Sequence, residues 1–268
     1  MASEREGGPG RGLFDLSGKA ALVTGGNSGL GLGFARGLAR QGADLMLWAR
    51  DAAKNERAAE ELRAFGGRVL TEVVDVASEA AVTRGMEAAV AKLGRLDCVI
   101  ANAGISSRAS SVLELETKAY HDLLDVNLHG AFYTLREGAR HMVARAKAGD
   151  PGGSLIVCGS LTVFRGVPGL THYGAAKGAL ASIVKNMAME LGRYGVRVNM
   201  VAPGKIKTDL SRGKPSPNDQ VFLDRTPIPR HGYPEDFEGI IAYLASDAAS
   251  FHTGDIITID GGWMAAMF

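Results

Sequence analysis

Tyr173 and Lys177 stand four residues apart in the run Tyr173-Gly174-Ala175-Ala176-Lys177. In a helix that spacing stacks the two side chains on one face, so the lysine ammonium favours the ionised form of the phenol. A phenol whose pKa is drawn toward neutrality is a usable general acid or base. Tyr and Lys at this spacing are common on protein surfaces. The pair gains meaning from its place, thirteen residues after Ser160 and far downstream of a glycine-rich turn.

That turn is Thr24-Gly25-Gly26-Asn27-Ser28-Gly29-Leu30-Gly31, with an apolar run before it and a helical pattern after it. Glycines there allow a tight bend and let the backbone approach a pyrophosphate, whose charge is met by the free N–H groups and dipole of the helix that follows. The second apolar run ends at Ala49-Arg50-Asp51. At that place an arginine pairs with a ribose 2′-phosphate, whereas an acid accepts hydrogen bonds from a free 2′-hydroxyl. Arg50 therefore favours NADP, with NAD as the alternative that Asp51 would serve. Asp75-Val76 and Asn102-Ala103-Gly104 close the third and fourth runs on the same rim. Asp75 could accept a hydrogen bond from an adenine amino group, and the small residues 103 and 104 would let the backbone lie against a cofactor. The plain alternative for each is a polar strand terminator.

Positioning these groups falls to seven short apolar runs at 19–24, 44–48, 68–74, 97–101, 153–158, 196–201 and 256–259. Between them lie amphipathic stretches at 29–41, 52–65, 78–93, 117–146, 171–194 and 235–245, with apolar residues at three- and four-residue steps. Alternation of this kind predicts repeated βαβ units in an α/β fold, a doubly wound parallel sheet of about seven strands with helices on both faces. Such sheets bind ligands beyond the carboxyl ends of the strands, near the switch in strand order. One irregular insertion, 205–230, is rich in Pro, Lys and Arg and is a candidate lid.

The 268 residues, 46% of them hydrophobic, suit one large domain, expected over 16–268 behind a flexible segment 1–15. Thirty Lys and Arg against twenty-nine Asp and Glu leave a net charge of +1 without like-charge blocks, which argues against nucleic acid or an anionic membrane as partner. Cys98 and Cys158 sit inside apolar runs, where a free buried thiol and a reducing compartment are the ordinary reading. With no signal-peptide pattern and no apolar run long enough to span a bilayer, a cytoplasmic protein is expected. His121, His129, His141, His172, His231 and His252 lack metal-ligand spacing and read as surface or helix residues. His172, beside Tyr173, could also meet substrate.

In this order the motifs resemble the classical short-chain dehydrogenase/reductase family from about Leu16 to the end of the chain. They are Thr24-Gly25 with Gly29 and Gly31, Asn102-Ala103-Gly104, Asn127 in Val126-Asn127-Leu128, Ser160, Tyr173 with Lys177, Pro203-Gly204 with Ile206 and Thr208, and Asp260-Gly261-Gly262. The resemblance implies a three-layer Rossmann fold and hydride transfer between a nicotinamide and a carbonyl or secondary alcohol. It implies that Tyr173 gives or takes the proton, that Lys177 lowers its pKa and holds the nicotinamide ribose, and that Ser160 hydrogen-bonds the substrate oxygen. Asn127 would hold a relay water. Pro203, Gly204, Ile206 and Thr208 would lie by the nicotinamide, and no metal is asked for. Hydride transfer to a carbonyl builds charge on oxygen, which needs a positioned donor and a proton source.

The sequence departs from the family pattern at Ala101, before Asn102, and at Asn27-Ser28, which lacks a basic residue that often assists a 2′-phosphate. Ala49 stands where NAD-preferring members carry Asp. The segments 225–230 and 260–263 are similar to sugar-acid members such as the gluconate 5-dehydrogenases. A sugar acid, keto-sugar or polyol is the expected substrate, which Arg165, Lys205, Lys207, Arg212 and Lys214 could attract. Another ketone class, 3-oxoacyl or hydrophobic, is the alternative, as is a dinucleotide-binding sensor without catalysis. Surplus apolar positions Ala179, Ile183, Met187 and Met189, with the tail 263–268, point to a homotetramer or homodimer.

Overall fold

Seven short runs, mostly apolar, pair in parallel as β1 (Ala20–Thr24), β2 (Asp44–Ala49), β3 (Val69–Val73), β4 (Cys98–Ala101), β5 (Gly153–Cys158), β6 (Val196–Pro203) and β7 (Ile256–Ile259). The computed structural model describes residues 12–208 and 219–266. The strand order is β3-β2-β1-β4-β5-β6-β7, with all six neighbour pairs parallel, so the direction of winding reverses between β1 and β4. Both the fold class and the strands expected from the sequence are found. The sixth strand runs two residues past the expected end, because Ala202 and Pro203 still pair with Thr258 and Ile259.

Eight α-helices are described: α1 (Gly29–Arg40), α2 (Ala52–Arg63), α3 (Glu79–Leu93), α4 (Thr117–Leu124), α5 (Ala131–Lys147), α6 (Thr171–Leu191), α7 (Asp219–Arg225) and α8 (Glu238–Ala245). Because successive strand residues face opposite sides, Leu22, Trp48, Val99 and Leu155 pack with α3, α5 and α6. Val23, Leu47, Ile100 and Ile156 pack with α1, α2 and α8. Both faces are covered, so the central strands β1, β4 and β5 read as near-continuous apolar runs instead of alternating, while β3 and β6 keep polar residues such as Glu72 and Arg197. Each fully buried Leu, Ile or Phe in these layers contributes about 1.5–3 kcal/mol.

The single helix expected over 117–146 is three pieces. A π-turn, Asp125–Gly130, separates α4 from α5. Such a turn inserts one residue into the ladder and shifts the carbonyl partners by one. The apolar face continues across it, which is why periodicity alone reads one helix. The helix expected over 171–194 tightens to a 3₁₀ turn at Gly192–Tyr194. Within the expected lid, 205–208 and α7 are described. Residues 209–218, including Arg212 and Lys214, lie outside the described residues, as do 1–11 and 267–268.

The amino-terminal rim is held by a buried carboxylate. Asp97, just before β4, accepts from the Ala20 N–H at 3.0 Å, from Arg95 at 2.7 and 2.8 Å, and from Arg145 of α5 at 2.9 Å. Arg145 also donates to the carbonyls of Leu96 and Gly152. Burial pushes the Asp97 carboxyl up, but Arg95, the Ala20 N–H and Arg145 together hold it below the ordinary carboxylate value. A depressed folded pKa means that this contribution is present above the unfolded value of about 4 and is lost as pH falls through the folded one. Asp97→Ala removes the buried carboxylate that Arg95 and Arg145 share, leaving them the more exposed Asp150, and is expected to lower stability by about 3 kcal/mol at pH 7, measured by urea unfolding. The difference from the parent should shrink toward pH 3.

Candidate active site

The carboxyl ends of β1, β4, β5 and β6 gather the residues that the sequence singles out. Lys177 lies on the second turn of α6, is only 4% exposed, and donates from Nζ to the Cys158 carbonyl at the end of β5, at 2.7 Å. Among the described residues that carbonyl is its one hydrogen-bond partner, so an ammonium with three donors keeps two for a ligand. The Tyr173 ring centroid lies 5.7 Å from the same Nζ. Ser160 follows β5 and caps a 3₁₀ turn, Leu161–Val163, its Oγ accepting from the Thr162 N–H at 3.2 Å. Ser160, Tyr173 and Lys177 are thus carried by one β5–turn–α6 segment.

Asn127 sits inside the π-turn and is 1% exposed. Its side-chain amide makes a paired contact with one residue of the loop after β4, accepting from the Ile105 N–H at 2.8 Å and donating to the Ile105 carbonyl at 2.9 Å. The side chain thus ties the loop with one donor and one acceptor, and its second amide N–H, its second lone pair and its backbone remain for a water.

At the glycine-rich turn, Gly25 has φ +65, and a Cβ there would fall 2.9 Å from Asn102 Nδ2. A Cβ on Gly31 would meet the Gly25 carbonyl and Asn102 Nδ2 at impossibly short distances. Only glycine lets α1 start this close to the strand ends. Thr24 fastens the junction. Its hydroxyl donates to the Ile100 carbonyl at 3.3 Å and accepts the Asn102 and Ala103 N–H groups at 3.0 Å each, while Asn102 Nδ2 donates to the Thr24 carbonyl. Ser28 precedes α1 without a side-chain cap, and the first turn carries no acid. Leu30 and its neighbours therefore present helix N–H groups to a ligand.

Thr208 packs over Gly29, within 3.2 Å of where a Cβ would lie. Ile206 is tied to Gly232 by a parallel bridge, and Gly204 donates its N–H to Ile259 at 2.9 Å. The segment from Pro203 to Thr208 thus crosses from β6 to the start of α1, over the point where the sheet reverses.

At the other end of the turn, Asn27 donates to Asn55, which is buried on α2 and in turn donates to the carbonyls of Ala49 and Glu72. Arg50 is exposed and has no ion-pair partner among the described residues. Asp51 caps α2, accepting from the Lys54 N–H at 3.0 Å, and that bond holds its carboxyl below the ordinary range. A shallow cavity beside Asn27 and Ser28 is lined by Lys54 and Arg57. Asp75 is exposed and folds back on the Ala77 N–H, whereas Val76 is buried.

Arg165 stacks on Trp263 at 5.2 Å, Trp263 on Phe222 of α7 at 5.8 Å, and Lys205 lies 5.5 Å over Phe222. Trp263, expected in a subunit contact, packs within its own chain. Burial pushes the Lys205 ammonium pKa down. Both thiols are free and buried, and burial raises them, Cys98 to about 12, so neither is a nucleophile. Among the described residues no cluster of His, Cys, Asp and Glu could hold a metal ion, and no helix is long and apolar enough to cross a membrane.

Sequence reasoning passed over Thr24 as a fastening residue, and also Asn55, Lys54, Arg57 and the contact of His172 with Ser107. Only the capping role of Asp51 carries a local signal, an acid directly before a helical run.

The model of the enoyl-(acyl carrier protein) reductase family matches residues 25–264. The chain is 37% identical over 254 residues to gluconate 5-dehydrogenase of Gluconobacter oxydans, with 93% of this chain and 96% of the relative covered. It is 32% identical over 248 residues to 3-oxoacyl-[acyl-carrier-protein] reductase of Chlamydia muridarum, covering 92% and 98%. A crystal structure of a gluconate 5-dehydrogenase from Burkholderia cenocepacia, in complex with NADP and tartrate, superposes with a TM-score of 0.89 at 34% identity, covering 95% of this chain and 98% of that one. With its reversed parallel sheet, glycine turn and Tyr173 to Lys177 helix, the chain belongs to the short-chain dehydrogenase/reductase family and is an oxidoreductase of that class.

Proposed function

We propose that this enzyme transfers a hydride between NADP and a carbonyl or secondary alcohol of a sugar acid, keto-sugar or polyol, with Tyr173 as general acid and base. The observation that carries this reading is the buried Lys177, anchored on the Cys158 carbonyl with its ammonium beside the Tyr173 ring. The nicotinamide supplies or accepts the hydride when bound. In reduction Tyr173 gives its phenolic proton to the oxygen that gains charge, and Ser160 donates a second hydrogen bond to that oxygen. In oxidation Tyr173 takes the proton back. Lys177 holds ribose hydroxyls with its remaining donors and sets its positive charge beside the Tyr173 ring. Asn127 contributes from its π-turn to a water that returns protons to Lys177.

Gly25, Asn27, Ser28, Gly29, Leu30 and Gly31 would hold the pyrophosphate on the start of α1. Asp75 and Val76 would flank the adenine, Asn102, Ala103 and Gly104 the nearer ribose, and Pro203, Gly204, Ile206 and Thr208 the carboxamide. The 2′-phosphate falls to Arg50, which has no competing ion-pair partner among the described residues, with Lys54 and Arg57 beside the turn. Asp51 is occupied as a cap, which removes the group that would favour NAD. The substrate class rests on the sugar-acid relatives and on the cations Arg165 and Lys205 stacked at the edge of the candidate lid 205–230. The Chlamydia relative keeps 3-oxoacyl reduction as the second reading.

The remaining apolar surface of α6, with Met189 85% exposed, supports a homotetramer or homodimer. The two buried free thiols fit a cytoplasmic setting.

Tyr173→Phe is expected to lower kcat at least a thousandfold on the best carbonyl substrate while NADPH binding, read by fluorescence, stays within about twofold. Retained turnover removes Tyr173 from the acid/base role, and tight NADPH binding without turnover by the parent enzyme supports the sensor. Arg50→Ala should raise the Kd for NADPH about 10- to 100-fold and leave NADH unchanged, by titration of each cofactor. Light scattering at micromolar concentration should give two or four times the chain mass; a monomer contradicts the assembly.

A further inference from the structure

The loop leaving β4 has no regular structure from residue 102 to 109, yet beyond its junction with Thr24 it is fastened at four further points. Ile105 pairs with the Asn127 amide. Arg108 donates to the Pro168 carbonyl at 3.0 Å, and the Ala109 N–H donates to the Gly169 carbonyl at 3.1 Å. Ser107 Oγ lies 2.7 Å from Nε2 of His172. Three of the four fastenings therefore reach the chain immediately ahead of Tyr173.

His172 is fully buried, and its Nδ1 has no hydrogen-bond partner among the described residues. A buried N–H left without an acceptor is rarer and costlier than a lone pair left without a donor. The proton therefore belongs on Nε2, and the imidazole donates to Ser107 Oγ. Ser107 itself is exposed. A hydroxyl that accepts from a fixed imidazole has one of its two lone pairs occupied and its own hydrogen available, turned away from the ring.

We propose that His172, the residue next to Tyr173, is a positioning residue that orients Ser107 as a hydrogen-bond donor to a substrate hydroxyl or carboxylate oxygen. The pair selects polyhydroxylated carbonyl compounds over apolar ketones, because only a substrate with a hydroxyl or carboxylate oxygen gains the Ser107 hydrogen bond. The inference rests on the reading of Tyr173 as the acid/base.

The test is steady-state reduction with NADPH of two probes, 5-keto-D-gluconate and cyclohexanone, by Ser107→Ala, His172→Leu, His172→Gln and the double variant Ser107→Ala/His172→Leu. Ser107→Ala and His172→Leu are each expected to lower kcat/KM for 5-keto-D-gluconate about tenfold, mainly through KM, with cyclohexanone moved less than twofold. The double variant should be no worse than either single one, since both break the same contact. His172→Gln keeps an N–H at the reach of Nε2 and should recover most of the loss. Equal losses on both probes, additive losses, or a His172→Gln enzyme as poor as His172→Leu would overturn the inference. Tyr173→Phe run in the same assay separates the two readings: if it retains turnover the acid/base role fails, whatever the Ser107 comparison gives. A parent enzyme that reduces neither probe overturns the substrate class on which the pair is argued.

Discussion

A lysine ammonium taken out of water must recover its hydration from fixed groups, and Lys177 does so at the carbonyl of Cys158. Without that acceptor the cation would either reach for solvent or lose its proton. The bond demands that α6 begin beside the carboxyl end of β5, which sets the depth at which Tyr173 emerges one turn earlier. It also explains why Cys158 is followed at once by a turn, because the carbonyl at a strand end is free to accept only where the ladder stops. Ser160, two residues on, is then placed by the same turn. One charge, one backbone oxygen and a four-residue helical step thereby hold three functional side chains.

The same economy governs the junction at the strand-order reversal. β1 and β4 are neighbours there, and their following segments leave toward opposite faces of the sheet, opening a crevice. A crevice lined by strand ends is full of unpaired backbone groups. The Thr24 hydroxyl satisfies two of the N–H groups and donates to a carbonyl, so the crevice is rigid before a ligand arrives. By contrast, the first turn of α1 is left without a cap. Polar groups that define the crevice are closed off inside the protein, and those that would hold an anion remain open.

The strands and their alternation with helices were readable because doubly covered parallel strands are mostly apolar and stand apart from amphipathic helices. Tyr173, Lys177, Ser160 and the glycine turn were readable because their chemistry depends on residue type at a fixed local spacing. The π-turn was not, since one inserted residue hardly disturbs a 3.6-residue period. Nor was the anchoring of Lys177, because a backbone carbonyl carries no sequence signature. Asn55 looks like any polar residue of an exposed helix, and only its placement between Asn27 and the ends of β2 and β3 shows why it is buried. His172 and Ser107 lie 65 positions apart and meet only after the loop is folded back.

A parallel sheet sends every carboxyl end to one rim and every amino end to the other, and the two rims here carry different kinds of polar group. The amino-terminal rim is tied by Asp97 between Arg95, Arg145 and the start of β1, a closed set in which every charge has its partner. The carboxyl-terminal rim keeps donors in reserve: Lys177 with a single protein acceptor, an uncapped α1, and an exposed Arg50. Groups left open in this way lower the stability of the folded chain alone, because their desolvation is only partly offset. The closed charge set and the two apolar layers are what make that cost tolerable, so the tied rim is the physical condition for the open one.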